Sequence, residues 1–154
     1  MKIKIYHKMC PENINLFIPI VYGNFIKLKY YPNLLHTFSE IKKLLMDKTF
    51  YGIFIFNDSK KILGYLIGKT MILNDGRKVF YISYIYVSKK FRNQKLASRM
   101  LDIIHSQKRD HDAIVLTCDT TDKLVYNFYT KRGYMLDFTL RKYTKYDVLS
   151  KQII

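Results

Sequence analysis

Ile3 and Ile5 fall on one face of the opening segment and Lys2 and Lys4 on the other, an alternation that predicts an edge strand over Lys2 to Tyr6. From Pro11 the apolar spacing changes to i, i+3, i+4, i+7 through Ile14, Phe17, Ile18, Val21, Phe25 and Leu28. That spacing predicts a helix with Pro11 in its first turn. An internal proline removes a hydrogen bond and crowds the preceding turn, so Pro19 predicts a kink near Ile18 or a junction of two short helices there. Tyr30, Tyr31, Pro32 and Asn33 break the pattern. Leu34, Leu35, Phe38, Ile41 and Leu45 then restart a helical stripe that ends about Asp47.

The period next drops to two. Phe50 to Phe56 and Ile62 to Ile72 are rich in β-branched and aromatic residues around the turn cluster Asn57, Asp58, Ser59, and read as a hairpin. Asn74, Asp75 and Gly76 make a second turn into Val79 to Val87, which is apolar on both faces. A strand of that kind belongs in the middle of a sheet with helices covering both sides. There follow a helix from Gln94 to Lys108 with Leu96, Met100, Ile103 and Ile104 inward, a strand Ala113 to Cys118, and a helix Thr121 to Arg132 ended by Gly133. Strands from Tyr134 onward, notably Phe138 to Tyr146, complete the order. The expected fold is one α/β (α+β) layered domain over residues 1–154, with a mixed central sheet of about seven strands and helices on both faces.

Composition narrows the classes. With 27 Lys and Arg against 12 Asp and Glu the net charge is +15, and 49% hydrophobic residues give enough apolar surface for a compact core. The longest stretch free of charge, Asn13 to Ile26, is shorter than the roughly 18 to 20 residues a membrane span needs. MKIKIYHKM lacks the continuous apolar run of an export signal, which points to the cytoplasm or nucleus. Cys10 and Cys118 are too few for a disulfide framework and are read as reduced thiols. His7, His36, His105 and His111 have no metal-ligand spacing, so no metal is expected. The positive charge suits nucleic acid, an anionic surface or a phosphorylated ligand, and does not choose among them.

The passage YISYIYVSKKFRNQKLASRMLD carries the chemistry. A central strand ends at Val87, a basic loop follows, and a helix begins with small residues, Ala97 and Ser98, in its first turn. Open amides at a helix start and the positive end of its dipole make an anion site, here among Lys89, Lys90, Arg92 and Lys95. In this place the chain resembles the Gcn5-related N-acetyltransferase superfamily, whose acetyl-CoA loop reads Arg/Gln-x-x-Gly-x-Gly/Ala. Arg92, Asn93, Gln94, Lys95, Leu96 and Ala97 match it, with Lys95 where the family has glycine. A second family block, Asn-x-x-Ala-x-x-x-Tyr followed by Gly-Phe, is matched by Asp122, Val125, Tyr129, Gly133 and Tyr134. The element order β-α-α-β-β-β-α-β-α-β-β and the length extend the resemblance over nearly the whole chain.

The resemblance implies acetyl-CoA as co-substrate. Backbone groups of Ile85, Tyr86 and Val87 would pair with its acetyl and pantetheine amides, and the N–H groups of Asn93 to Ala97, with Arg92 and Ser98, would hold its pyrophosphate. Tyr129 would give a proton or hydrogen bond to the departing thiolate, with Tyr126 as its substitute. Many relatives place a Glu on the central strand or a His on the next as general base; here the first has no carboxylate and the second has Thr117. Tyr81, Ser83, Tyr84 and Thr117 are therefore expected to order a water that carries the amine proton away, with His36 or Asp119 next in line. YISYIYVSKKFR and TTDKLVYNFYTKRGY look most like protein N-terminal acetyltransferases, which implies a peptide contacting Tyr30, Tyr31 and Tyr84. The alternatives are acetylation of a small amine such as an amino-sugar phosphate, and a degenerate fold binding nucleic acid through its basic residues. The last is disfavoured because the lysines are scattered along the chain.

Overall fold

The computed structural model describes residues 1–26, 37–138 and 147–153. Its elements are β1 (Lys2–His7), α1 (Pro11–Ile26), α2 (Phe38–Met46), β2 (Tyr51–Phe56), β3 (Ile62–Ile72), β4 (Lys78–Val87), a 3₁₀ turn (Lys89–Phe91), α3 (Leu96–Gln107), β5 (Ala113–Cys118), α4 (Lys123–Thr130), β6 (Met135–Leu136) and β7 (Asp147–Gln152). The strands form one seven-stranded mixed sheet in the order β1-β2-β3-β4-β5-β7-β6, so the expected α/β architecture is present. Two compact units divide the chain, Met1–Lys69 with Tyr84–Leu101 and Thr70–Ser83 with Asp102–Ile154.

In the first unit β1 is the edge strand, antiparallel to β2 from Lys2 opposite Phe56 to His7 opposite Tyr51. Ile14, Phe17, Ile18 and Val21 of α1 and Ile41, Leu44 and Leu45 of α2 are buried with Phe50, Phe54, Tyr65 and Ile67. Phe17 stacks on Phe54 with centroids 4.7 Å apart. The helix expected to break near Ile18 runs unbroken from Pro11 to Ile26 with Pro19 inside it. Pro19 and Asn15 are both exposed, so the Asn15 carbonyl that lacks an i+4 donor meets water, while buried Phe17, Ile18 and Val21 pin the turn on its other side. At α2 the Thr37 hydroxyl accepts the Glu40 N–H at 3.1 Å, a cap that starts the helix. Leu34 and Leu35, expected in this helix, lie outside the described residues. A Cβ on Gly64 would come within 2.8 Å of the Tyr86 carbonyl, so glycine lets β3 pass close to the end of β4.

In the second unit β5 is antiparallel to β7 from Ala113 opposite Gln152 to Cys118 opposite Asp147. β6 pairs with the other side of β7. A parallel ladder takes Val79, Phe80 and Tyr81 of β4 against Ala113, Ile114 and Val115, and β4 runs on past it to Val87. Of the strand expected over Phe138 to Tyr146, Phe138 lies in a turn and 139–146 fall outside the described residues; the last described strand is Asp147–Gln152. Along α3 the buried positions are Leu96, Met100, Leu101 and Ile104; Leu101 takes the inward place expected of Ile103, which is partly exposed. His111 is buried at the foot of β5, with Nε2 at 2.8 Å from the Thr70 hydroxyl and Nδ1 at 3.0 Å from Asp110.

Candidate functional site

The residues singled out in the sequence fall into two groups, one in each unit. In the first unit β4 ends against the 3₁₀ turn. The Ser88 N–H donates to the Leu63 carbonyl at 2.7 Å, and the Phe91 N–H to the Ser88 carbonyl at 2.8 Å. Ile85, Tyr86 and Val87 are all partly buried, and the Tyr86 ring stacks on Tyr65 at 5.3 Å. Arg92 folds back, donating from Nε to the Val87 carbonyl at 3.1 Å, which ties the loop to the strand end.

The next residues bend sharply. Asn93 and Lys95 have φ of 66° and 61°, in the left-handed region, while Gln94 between them does not. Left-handed residues alternating with right-handed ones are one arrangement by which successive N–H groups form an anion nest. Lys95 occupies the position of the family glycine and adopts the conformation that glycine tolerates best. Its carbonyl accepts the first helical bond, from the Arg99 N–H at 3.0 Å, so the amides of Leu96 and Ala97 precede the intrahelical ladder. Leu96 is buried and anchors the helix start, whereas Arg92, Asn93, Gln94 and Lys95 are exposed and Ala97 and Ser98 partly exposed. The residues 84–101 contain five cations, Lys89, Lys90, Arg92, Lys95 and Arg99, and no acidic side chain. Geometry and charge together suit a phosphate group.

In the second unit the Tyr81 hydroxyl lies 3.3 Å from the Thr117 hydroxyl, so two of the candidate proton carriers meet across neighbouring strands. Tyr129 sits on α4, which the Asp122 carboxylate caps by accepting the Val125 N–H at 3.3 Å. The Tyr129 ring is held edgewise between Phe128, 5.1 Å away, and Tyr134, 5.6 Å away. Among the described residues its hydroxyl has no hydrogen-bond partner, and burial raises its pKa above the ordinary phenol value. Tyr129 therefore stays protonated through neutral pH, able to donate a hydrogen bond while being a weaker acid than a free phenol. Cys118 is buried at the end of β5; burial first, then Asp119, Asp122 and Asp147, pushes its thiol up to about 11, which leaves it inert as a nucleophile.

Not every candidate joins these groups. The Tyr84 ring packs edgewise on Phe25 at 5.5 Å in the first unit. Tyr30, Tyr31 and His36 lie outside the described residues. Asp119 is occupied in its own turn, accepting the Thr121 N–H at 3.0 Å and hydroxyl at 2.6 Å. Tyr126 is partly exposed, with no ring contact or hydrogen bond from its side chain among the described residues. Sequence reasoning missed His105, whose Nε2 lies 2.8 Å from the Tyr134 hydroxyl. Burial first, then the charge of Lys151, lowers its pKa to about 4. Its place four residues after buried Leu101 was the available signal, since i and i+4 share a helix face.

The sequence profile described as the acetyltransferase (GNAT) family matches residues 22–134. No curated protein matches the sequence. Among solved structures, an acetyltransferase of GNAT family from Streptococcus pneumoniae has a TM-score of 0.70 at 15% identity, over 99% of this chain and 100% of that one. Arabidopsis thaliana NAA60, in complex with a bisubstrate analogue, gives 0.66 at 10% identity over 98% of each chain. An aminoglycoside acetyltransferase from an uncultured soil metagenomic sample gives 0.62 at 18% identity, over 89% of this chain and 94% of that one. At these identities the likeness is one of fold.

Proposed function

The chain belongs to the acetyltransferase (GNAT) family, and from that premise we propose that it transfers the acetyl group of acetyl-CoA to the α-amine of a protein or peptide N-terminus. The observation that carries this reading is the Tyr81–Thr117 hydroxyl pair, 3.3 Å apart, on strands that hold no carboxylate or histidine of their own where a base is expected. Hydroxyl groups order a water but are poor bases, so the enzyme draws on amine that is already neutral. Deprotonating a lysine side chain of pKa about 10.4 costs about 4.6 kcal/mol at pH 7, against about 1.1 kcal/mol for an α-amine near 7.8. The neutral fraction differs by about 400-fold in favour of the α-amine.

In this mechanism the neutral amine attacks the thioester carbonyl carbon, the C–S bond breaks, and the thiolate leaves. Tyr129 supplies the proton or hydrogen bond that the thiolate needs, and a water held by Tyr81 and Thr117 carries the amine proton to solvent. The nest at Asn93 to Lys95, the first-turn amides of Leu96, Ala97 and Ser98, and the Arg92 guanidinium hold the pyrophosphate. Backbone groups of Ile85, Tyr86 and Val87 pair with the acetyl and pantetheine amides. Of the described residues, Tyr84 is the one that would contact the peptide.

The test is a peptide that carries both a free N-terminus and an internal lysine, incubated with acetyl-CoA and read by mass spectrometry. Acetylation at the N-terminus is expected. Preferential acetylation of the internal lysine at neutral pH would show that a strong base exists and overturn the reading. A second reading, acetylation of an amino-sugar phosphate, is favoured by the acid-free run of cations over 84–101. Acetylation of glucosamine phosphate with both peptide sites untouched would select it.

A further inference from the structure

We infer that His105 and Tyr134 form a support that fixes the orientation of the Tyr129 side chain, which makes His105 a positioning residue for thiolate departure; the inference rests on the role proposed above for Tyr129. Tyr129 has no hydrogen bond of its own hydroxyl among the described residues, so its direction is set by the rings beside it. One of those rings, Phe128, is its chain neighbour on α4 and moves with it. The other, Tyr134, comes from beyond the helix and has an anchor of its own on α3.

Three contacts fix it. Gly133, at φ +90°, reverses the chain after α4, and the Tyr134 N–H returns to the Tyr129 carbonyl at 3.2 Å. The Tyr134 ring meets the Tyr129 ring edge to face, with centroids 5.6 Å apart and planes at 73°. Its hydroxyl, on a side chain only 1% exposed, bonds His105 Nε2 at 2.8 Å. A buried phenol needs a partner, and a partner on a different helix decides which way the ring leans.

The electrostatics keep this bond constant. Burial is the largest effect against a charged imidazole, followed by the charge of Lys151 on β7; Asp102 on α3 opposes them, and Arg132 after α4 adds to them. His105 is therefore neutral throughout the range in which an acetyl transfer would run, and offers the Tyr134 hydroxyl one hydrogen bond in either tautomer. The same two cations close the end of α4. Arg132 donates to the Phe128 carbonyl at 2.7 Å with its guanidinium 3.8 Å above the Phe128 ring, and Lys151 donates to the Arg132 carbonyl at 2.8 Å. Tyr129 thus stands on a helix end held from below, with one lateral wall whose position His105 sets.

The experiment needs no amine substrate. Calorimetry on the full-length protein compares CoA with desulfo-CoA, which lacks the thiol, between pH 6 and pH 9, so that every titration other than that of the thiol cancels. If Tyr129 stabilises the thiolate enough to lower a thiol of ordinary pKa about 8.5 tenfold in acidity constant, CoA affinity relative to desulfo-CoA rises about eightfold over that range. Tyr129→Phe should abolish the rise; a parent without it, or a Tyr129→Phe variant that keeps it, overturns the role of Tyr129 and this inference with it. His105→Leu should cut the rise below about threefold with affinity at pH 6 within about twofold of the parent, and His105→Gln, whose amide reaches the place of Nε2, should restore it. Tyr134→Phe removes the same bond while keeping the ring, and serves if His105→Leu does not fold. A full rise in His105→Leu and Tyr134→Phe, with the rise lost in Tyr129→Phe, would leave Tyr129 its role and overturn the inference.

Discussion

Replacing Lys95 by glycine and by alanine separates backbone strain from charge in the loop before α3. Lys95 is exposed and has φ of 61°. A side chain in that region costs about 1 to 2 kcal/mol, because Cβ crowds the following carbonyl oxygen. Both variants lose the ammonium, so charge drops out of the comparison between them, and alanine keeps the Cβ that glycine lacks. Glycine gives back about 0.5 to 1 kcal/mol through the larger entropy of its unfolded chain. The balance makes Lys95→Gly more stable than Lys95→Ala by about 0.5 to 1 kcal/mol. Inside a helix the order reverses, with glycine worse by about 1 kcal/mol. In urea unfolding with a slope of about 2 kcal/mol/M, the glycine variant should have its midpoint about 0.3 M higher at unchanged slope. An alanine variant as stable as the glycine one would refute the left-handed assignment. Titration of the same proteins with acetyl-CoA reads the charge: Lys95→Ala should bind about tenfold more weakly than the parent, the weight of one charged hydrogen bond to phosphate.

Arg92→Glu should weaken acetyl-CoA binding by at least about 1 kcal/mol in calorimetry, and equal affinities would move the pyrophosphate site elsewhere; thermal unfolding read alongside reports the loss of the Nε bond to Val87. His105 and His111 are both held below the ordinary histidine value, each chiefly by burial, with His105 at about 4. A depressed folded-state pKa means that the unfolded chain takes up the proton first, so this contribution to stability is complete above about pH 6.5 and is lost as pH falls through the folded values. Urea midpoints should decline from pH 7 to pH 4.5, and the decline should flatten in a His105→Gln/His111→Gln double variant; equal steepness in both proteins would assign it to carboxylates instead.

What could be read from residues alone divides by the range of the forces involved. β3 and β5 begin and end where the sequence places them, because runs such as Ala113 to Cys118 are β-branched, apolar and bounded by turn formers. β7 was hidden, since Asp147, Ser150, Lys151 and Gln152 dilute Val148 and Leu149. It is a strand because β5 and β6 pair with both of its sides, a tertiary cause with no local trace. Pro19 misled in the opposite direction: the local rule foresaw a break, but the solvent-facing side of α1 absorbs the missing bond. The Arg92 to Ala97 loop was legible through its motif, and the lysine in the glycine position shows in the backbone as a left-handed turn. His105 was not, because its partner lies 29 residues away and nothing near it in sequence marks the pairing. The Tyr81–Thr117 pair was named residue by residue, yet their meeting depends on the register of two parallel strands.

The position of β7 also bears on how the protein is made. β6 is synthesised before β7 but has its ladder on β7, and β5 has six residues paired to β7 against three to β4. A nascent chain emerging from the ribosome therefore presents β5 with its longer edge bare, and β6 with no template, until 147–152 follows. During that interval Ile114, Val115 and Leu116 form an apolar strand edge of the kind that captures other chains, so crowding of polysomes and chaperone supply should govern soluble yield more than the stability of the finished protein does.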